Sequence, residues 1–227
     1  MTFDYKKEYK EFYLPAKHPH IITIPPMNYL AVRGHGDPNT ENGEYKQSIE
    51  LLYAIAFTIK MSKKTDYRIE GYFDYVVPPL EGFWWQDALA EQQDGREAAI
   101  IDHNKKDQFN FISVIRLPDF VTKADFDWAI QTAAQKKKRD FSRVEFLFYD
   151  EGDCVQCMHI GSYDDEPGTV AAMLSYATEQ GYELDIKNPR YHHEIYLSDP
   201  RRCQADKLRT VIRHPIKPRK YSYPSSN

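Results

Sequence analysis

The chain has 227 residues, 41% hydrophobic and 28% charged, with a formal net charge of −4; that is the composition of an ordinary globular protein long enough to bury a real core. The negative balance argues against general nucleic-acid affinity, which needs a dense basic surface, and no apolar run reaches the ~18 residues of a membrane-spanning helix. The start, Met1 to Glu8, lacks the apolar core of a secretory signal, and three cysteines, an odd number, fit a reducing compartment. The expectation is therefore a cytoplasmic protein with no membrane partner and no direct nucleic-acid partner.

Residues 1–18 are charged and aromatic without a period, and read as an arm. Ile21 to Ile24 is a β-branched strand, and Tyr29 to Arg33 is its neighbour, ended by Gly34-His35-Gly36. Gly43 to Ser62 carries Ile49, Leu52, Ala56 and Ile59 at helical spacing. A strand is expected over Tyr67 to Val77, halted by Pro78-Pro79. Gln86 to Gln108 is polar and reads as a loop or short helix. Phe109 to Ile115 is a strand. Thr122 to Lys136 is a helix with Thr122 and Asp125 as capping box and Phe126, Ala129, Ile130 and Ala133 as apolar face. Lys136 to Arg139 is its solvated, cationic C-terminus. Arg143 to Tyr149 and Cys154 to Ile160 form a hairpin. Glu166 to Gln180 is a helix with Val170, Met173, Leu174 and Ala177 inward. Strands follow over Tyr191 to Leu197 and Thr210 to His214, and residues 216–227 read as a flexible tail. Cys154 and Cys157 are spaced C-x-x-C, but lie in a strand without a second pair, so they read as core thiols.

The order repeats. Tyr67-Arg68-Ile69-Glu70-Gly71-Tyr72 and Tyr191-His192-His193-Glu194-Ile195-Tyr196 both read Y-x-x-E-x-Y, and both follow a long helix. The fold class expected is α+β: a single domain over 19–215 of two similar halves, 19–85 and 140–215, with a middle insertion over 86–139. Strand alternation gives Glu194 a face shared with His192 and Tyr196, and gives Glu70 a face shared with Tyr72 and Asp74. If a pseudo-two-fold relates the halves, Glu70 and Glu194 become counterparts across a central cleft walled by tyrosines. Thirty-two aromatic residues, 17 Tyr, 12 Phe and 3 Trp, suit such a cleft. A partly desolvated carboxylate there either holds a cation among aromatic faces or serves as a general acid or base.

Pro78 to Trp85, with Glu81 beside Trp84 and Trp85, is either a wall over a flat ligand or a surface turn whose tryptophans cap the core. In His159 to Pro167, Asp165 and Glu166 suit a helix N-terminus on dipole grounds, and Tyr163 sits where it can point into the cleft. There is no phosphate loop, no dinucleotide fingerprint, no nucleophile elbow and no H-E-x-x-H. His192-His193-Glu194 is the densest group of ligand-type residues, but alternation parts the two histidines, so no metal and no other cofactor is expected.

The runs HIGSYDDEP at 159–167, HHEIYLSDPRR at 192–202 and GYFDYVVPPLEGFWW at 71–85 resemble the gyrase-inhibitor-like (GyrI-like) small-molecule-binding family, over roughly residues 10 to 215. Stand-alone bacterial members are the nearest likeness. The resemblance implies duplicated β-α-β-β units in pseudo-two-fold arrangement, an antiparallel sheet and a central ligand cleft. It implies a small apolar or cationic aromatic ligand, with Glu194 as the important glutamate of the second unit. Some stand-alone members hydrolyse reactive cyclopropane-bearing genotoxins. By that likeness Glu81 and Glu194 are the expected catalytic carboxylates, with Tyr163 and Trp84 as wall; Glu70, Tyr72, Trp85 and Tyr196 complete the expected ligand-binding set. The alternative is a non-catalytic protein that sequesters a multidrug-type ligand or modulates gyrase. The chain departs from the family at Ser162, where proline is usual, and at Phe83 and Trp85.

Overall fold

A computed structural model describes residues 2–87 and 101–219. One sheet of nine strands organises it. In chain order the strands and helices are β1 (Phe3–Asp4), α1 (Tyr5–Glu8), α2 (Lys10–Tyr13), β2 (His20–Ile24), β3 (Met27–His35), α3 (Glu44–Lys60), β4 (Tyr75–Val76), β5 (Leu80–Trp85), β6 (Asn110–Arg116), α4 (Lys123–Lys137), β7 (Glu145–Tyr149), β8 (Gly152–Ile160), α5 (Glu166–Glu179), β9 (Tyr182–Leu184), β10 (His192–Tyr196) and β11 (Arg209–Pro218). The main sheet runs β2-β8-β11-β10-β5-β6-β3-β7, with β9 on the end of β11 and the β1–β4 pair standing apart. All its pairings are antiparallel. Apart from the short β4 and β9, the order β2-β3-α3-β5-β6 recurs as β7-β8-α5-β10-β11, and the two sets interlock: β5 pairs with β10, β2 with β8 and β3 with β7, so neither the expected β2–β3 neighbours nor the expected β7–β8 hairpin forms.

The two faces of the sheet are covered differently. Leu51, Leu52, Ile55 and Ile59 of α3, with Phe126, Ala129 and Ala133 of α4, pack on Leu30, Val32 and Ile115 of one face. Each of these large apolar side chains contributes about 1.5–3 kcal/mol by leaving water. Met173 and Ala177 of α5 pack on Val155, Cys157 and Ile212 of the same face. The opposite face is covered by the N-terminal arm, whose Tyr5 and Tyr13 pack with Met158, Ile195 and Val211. At α4 the expected capping box forms: the Thr122 side chain accepts from Asp125 N while Asp125 accepts from Thr122 N. Lys138 ends the helix in the left-handed region, and Lys136 and Lys137 lie in its last turn, where cations oppose the dipole.

Several expectations are corrected. Residues 67–74 are not a strand; Gly71 has φ 70° at a turn, and Glu70 is exposed. Only Tyr75–Val76 pairs, and its partner is Phe3–Asp4 of the arm. The strand beside β10 begins after Pro78-Pro79, whose missing N–H groups keep them out of the ladder. The segment 86–139 is not an insertion throughout, because β6 lies between β5 and β3 inside the sheet. Residues 216–218 belong to β11 and pair with β9, so they are not tail. Of the expected polar stretch Gln86 to Gln108, residues 88–100 lie outside the described residues, as do 220–227 of the expected tail. The thiols of Cys154 and Cys157 are buried, and burial raises the pKa of both.

Candidate functional site

The β5–β10 seam sets the site. Its register places His192 opposite Trp84, His193 opposite Phe83, Glu194 opposite Gly82 and Ile195 opposite Glu81. Cross-strand partners share a face and successive residues alternate. Trp84, His192, Glu194 and Tyr196 therefore project toward the helices, while Glu81, Phe83, Trp85 and His193 project toward the arm.

On the helix side, the first turns of α3 and α5 converge over the seam. Tyr45 of α3 packs on Trp84 at 5.1 Å and on Phe111 at 5.4 Å between ring centroids, and Ser48 donates to Ser113 of β6 at 2.8 Å beneath it. Trp84 Nε1 donates to the Tyr196 hydroxyl at 2.9 Å. This contact needs a glycine at position 82, where a Cβ would stand 2.6 Å from Trp84 Nε1 and 3.1 Å from Tyr196 Oη. Tyr163 meets Tyr196 edge-on at 5.8 Å. Its turn is fixed by Ser162, whose side chain accepts from Asp164 N and whose carbonyl lies 2.9 Å from His159 Nε2. Serine at this position thus holds the turn through its own cap.

Glu194 sits within this aromatic ring, 7% exposed. Its Oε1 lies 2.9 Å from His192 Nε2, and His192 Nδ1 lies 2.7 Å from His214 Nε2. Burial, with the His192 charge as second cause, keeps His214 well below the ordinary histidine range. Glu166 opens α5 and points inward, 0% exposed, with Oε2 3.8 Å from His192 Nε2. Both of its carboxyl oxygens are buried without a hydrogen-bond partner. Burial, and then the Glu194 charge, push its pKa well above the carboxylate range. Burial and the Glu194 charge also push Tyr163 up to about 12 and Tyr196 well above 10; both hydroxyls are protonated donors at neutral pH. A cavity of about 430 Å³ opens beside the cluster, between residues 101–106 and Asp164 and Pro167. Burial lowers the pKa of its His103, against the pull of the Glu194 charge.

On the arm side a second polar cluster is closed to solvent. His193 is 0% exposed, with Nε2 3.0 Å from Glu81 Oε2 and Nδ1 2.9 Å from Glu151 Oε1. Arg213 donates to Glu151 at 3.0 Å, to Gln156 at 3.0 Å and to the Phe12 carbonyl at 2.9 Å. Burial opposes the charge on Glu151, but His193 and Arg213 outweigh it and hold the pKa at about 2. Burial also opposes the charge on His193, and Glu151 and Glu81 outweigh it, raising its pKa.

Of the residues expected from sequence, Trp84, Tyr163, Glu194 and Tyr196 come together. Glu81 does not join them: it lies on the opposite face, 1% exposed under the arm, and cannot face a ligand held by Glu194. Trp85 shares that face and stacks on Tyr191 at 4.1 Å. Tyr72 donates to the Lys60 carbonyl at 2.7 Å and packs on Phe120, away from the seam. Glu70 is exposed in its turn, so the pairing of Glu70 with Glu194 is overturned. Glu166 and Tyr45 were not singled out as site residues. The dipole accounted for Glu166 on its own, and Tyr45 lies on the shoulder of an otherwise apolar helical face. The sequence places His192 on the Glu194 face and in the ligand-type group 192–194, from which alternation separates His193.

A helix-flanked antiparallel sheet with a carboxylate among aromatic rings at its central seam is the frame of a small-molecule-binding domain. The chain matches the GyrI-like small molecule binding domain over residues 17–217, and it belongs to that family. It is similar to a Listeria innocua protein described as a hydrolase, with 43% identity and a TM-score of 0.83, covering 95% of this chain and 100% of the other. It is equally similar to a conserved Listeria innocua protein of uncharacterized function, with 44% identity and a TM-score of 0.84 over the same shares. No curated protein matches the chain. No helix among the described residues is long and apolar enough to cross a membrane.

Proposed function

We propose that the helix-side seam binds a flat, lipophilic small molecule and hydrolyses a strained, electrophilic ring of the cyclopropane type on it. The observation that carries this is the Glu194 carboxylate, nearly buried, hydrogen-bonded from behind by His192 and ringed by Trp84, Tyr45, Tyr163 and Tyr196. The aromatic faces align the ligand, and alignment alone can lower a barrier by about 7 kcal/mol. Glu194 takes a proton from water as the water oxygen bonds to the ring carbon. The strained C–C bond breaks, and its electron pair passes into a conjugated carbonyl as an enolate. Tyr163 or Tyr196 donates a proton to that oxygen. Both hydroxyls hold their proton at neutral pH, and the proton that Glu194 has taken returns to the tyrosinate, so that one water is consumed and both groups are reset. The second donor is a tyrosine, not Glu81, which lies across the sheet. The similarity to a Listeria innocua protein described as a hydrolase supports the reaction class.

Incubation with a cyclopropane-bearing alkylator, followed by mass spectrometry, tests this. The product should be heavier by one water. Glu194→Gln should slow turnover by about 100-fold or more, the usual loss of a general base, whereas Glu81→Gln should retain turnover. Product formation no faster than in buffer would refute the hydrolase reading. The same ring of aromatics around one carboxylate also fits capture of a lipophilic cation without chemistry; saturable binding with unchanged ligand mass would establish that second reading.

A further inference from the structure

Glu166, His192 and Glu194 present a puzzle that ligand binding does not answer. One ligand-type atom from each lies within 4.8 Å of the others, and all three residues are buried. Among the described residues, neither carboxylate has a lysine or arginine within ion-pair distance; the imidazole of His192 is the sole ion-pair partner of each. Two carboxylates in a low-dielectric interior are stable only if a proton or a cation joins them. The Glu166 oxygens lack even a hydrogen-bond donor while aimed at the imidazole. If His192 Nε2–H donates to Glu194, Glu166 is still bare. If His192 instead donates from Nδ1 to His214, its Nε2 lone pair faces both carboxylates and three acceptors converge.

We propose that Glu166, His192 and Glu194 form a binding site for a divalent transition-metal ion of the zinc type. One imidazole and two carboxylates are the donor set that borderline ions such as zinc accept. Ligand atoms about 2.0–2.2 Å from a tetrahedral zinc stand roughly 3.4 Å apart. The Nε2–Oε1 and Nε2–Oε2 separations of 2.9 and 3.8 Å bracket that spacing. His214 then takes the part of an outer partner, accepting from His192 Nδ1 and turning its Nε2 inward. Two of the ligands are neighbours-but-one on β10 and the third is the first residue of α5, so the ion would tie the helix to the seam. The site shares Glu194 with the proposed hydrolytic reading but requires no turnover.

The full chain, stripped with chelator, is titrated with zinc chloride by calorimetry and with cobalt chloride by visible absorption. One ion should bind per chain at micromolar affinity or tighter, zinc should raise the melting temperature, and cobalt should give the d–d bands of a low-coordinate nitrogen–oxygen site. Glu166→Gln and His192→Gln should each weaken binding by about 100-fold or more, since even outer partners cost 10–100-fold. His103→Ala, which removes the imidazole at the neighbouring cavity, should leave affinity unchanged. No saturable binding at millimolar zinc overturns the proposal, and so does equal binding by both ligand variants. If Glu166→Gln fails to fold, His192→Gln and the cobalt spectrum of the unaltered chain decide. Metal binding without turnover would leave this site standing and sink only the hydrolase reading.

Discussion

Replacing Glu151 by glutamine is expected to cost about 3 kcal/mol at neutral pH and to remove the part of the protein's acid sensitivity that this carboxylate carries. The carboxylate is 2% exposed and held by His193 and Arg213 at 2.9 and 3.0 Å. Its pKa falls from the ordinary 4.5 to about 2; at about 1.4 kcal/mol per tenfold change in proton affinity, that drop gives roughly 3 kcal/mol. The figure agrees with the 3–5 kcal/mol typical of breaking a buried pair by removing one partner. The sign follows from the depressed value. The stabilisation is fully present above the unfolded pKa and disappears as pH falls from about 4.5 toward about 2. Urea unfolding followed by tryptophan fluorescence should place the midpoint of the Glu151→Gln variant roughly 1 M or more below that of the parent at about pH 7. The gap should fall to roughly half near pH 3, about the middle of the titration, and close only as pH approaches about 2. A neutral-pH difference under about 1 kcal/mol, or a gap that survives undiminished in acid, would refute the role assigned to this network.

Gly82→Ala should displace the Trp84 indole, because the new methyl would stand 2.6 Å from Nε1; the expected signature is a shifted tryptophan emission, weakened ligand binding and a loss of about 1–3 kcal/mol from overpacking. Thr122→Ala removes one half of the α4 capping box and should cost about 1 kcal/mol in thermal unfolding with ligand binding unchanged.

The elements with a strong period were legible. The α3 and α4 faces and the strands at 145–149, 152–160 and 192–196 follow from apolar spacing and turn residues, and all are present; the hairpin expected of the first two of these strands is not, because β7 pairs with β3 while β8 pairs with β2 and β11. Alternation correctly put His192, Glu194 and Tyr196 on one face. The repeat Y-x-x-E-x-Y misled because residue identity does not decide strand pairing. Gly71 at φ 70° bends the first copy out of the sheet, and Pro78-Pro79 precede a strand, β5, rather than end one. Once Leu80 to Trp85 is a strand, period two separates Glu81 from Gly82 and Trp84 from Trp85 without further information. Glu166 stayed hidden for a different reason: an acidic residue opening a helix has an ordinary explanation, and its burial against His192 depends on a contact between β10 and α5.

On the proposed reading the seam strands carry chemistry on one side and restraint on the other. His193 follows His192 and precedes Glu194, so its imidazole, gripped by Glu81 and Glu151, fixes the backbone from which both front-side groups project. Glu81 does the same for Gly82 and, through it, for the approach of Trp84 to Tyr196. Polar groups sealed under the arm are therefore expected to affect the seam through position. Glu81→Gln should lower stability while leaving the pH dependence of turnover intact, whereas Glu194→Gln should remove turnover from a protein that remains folded. This split separates a carboxylate that holds the strand from one that faces the ligand, though each stands one residue from the other's cross-strand partner.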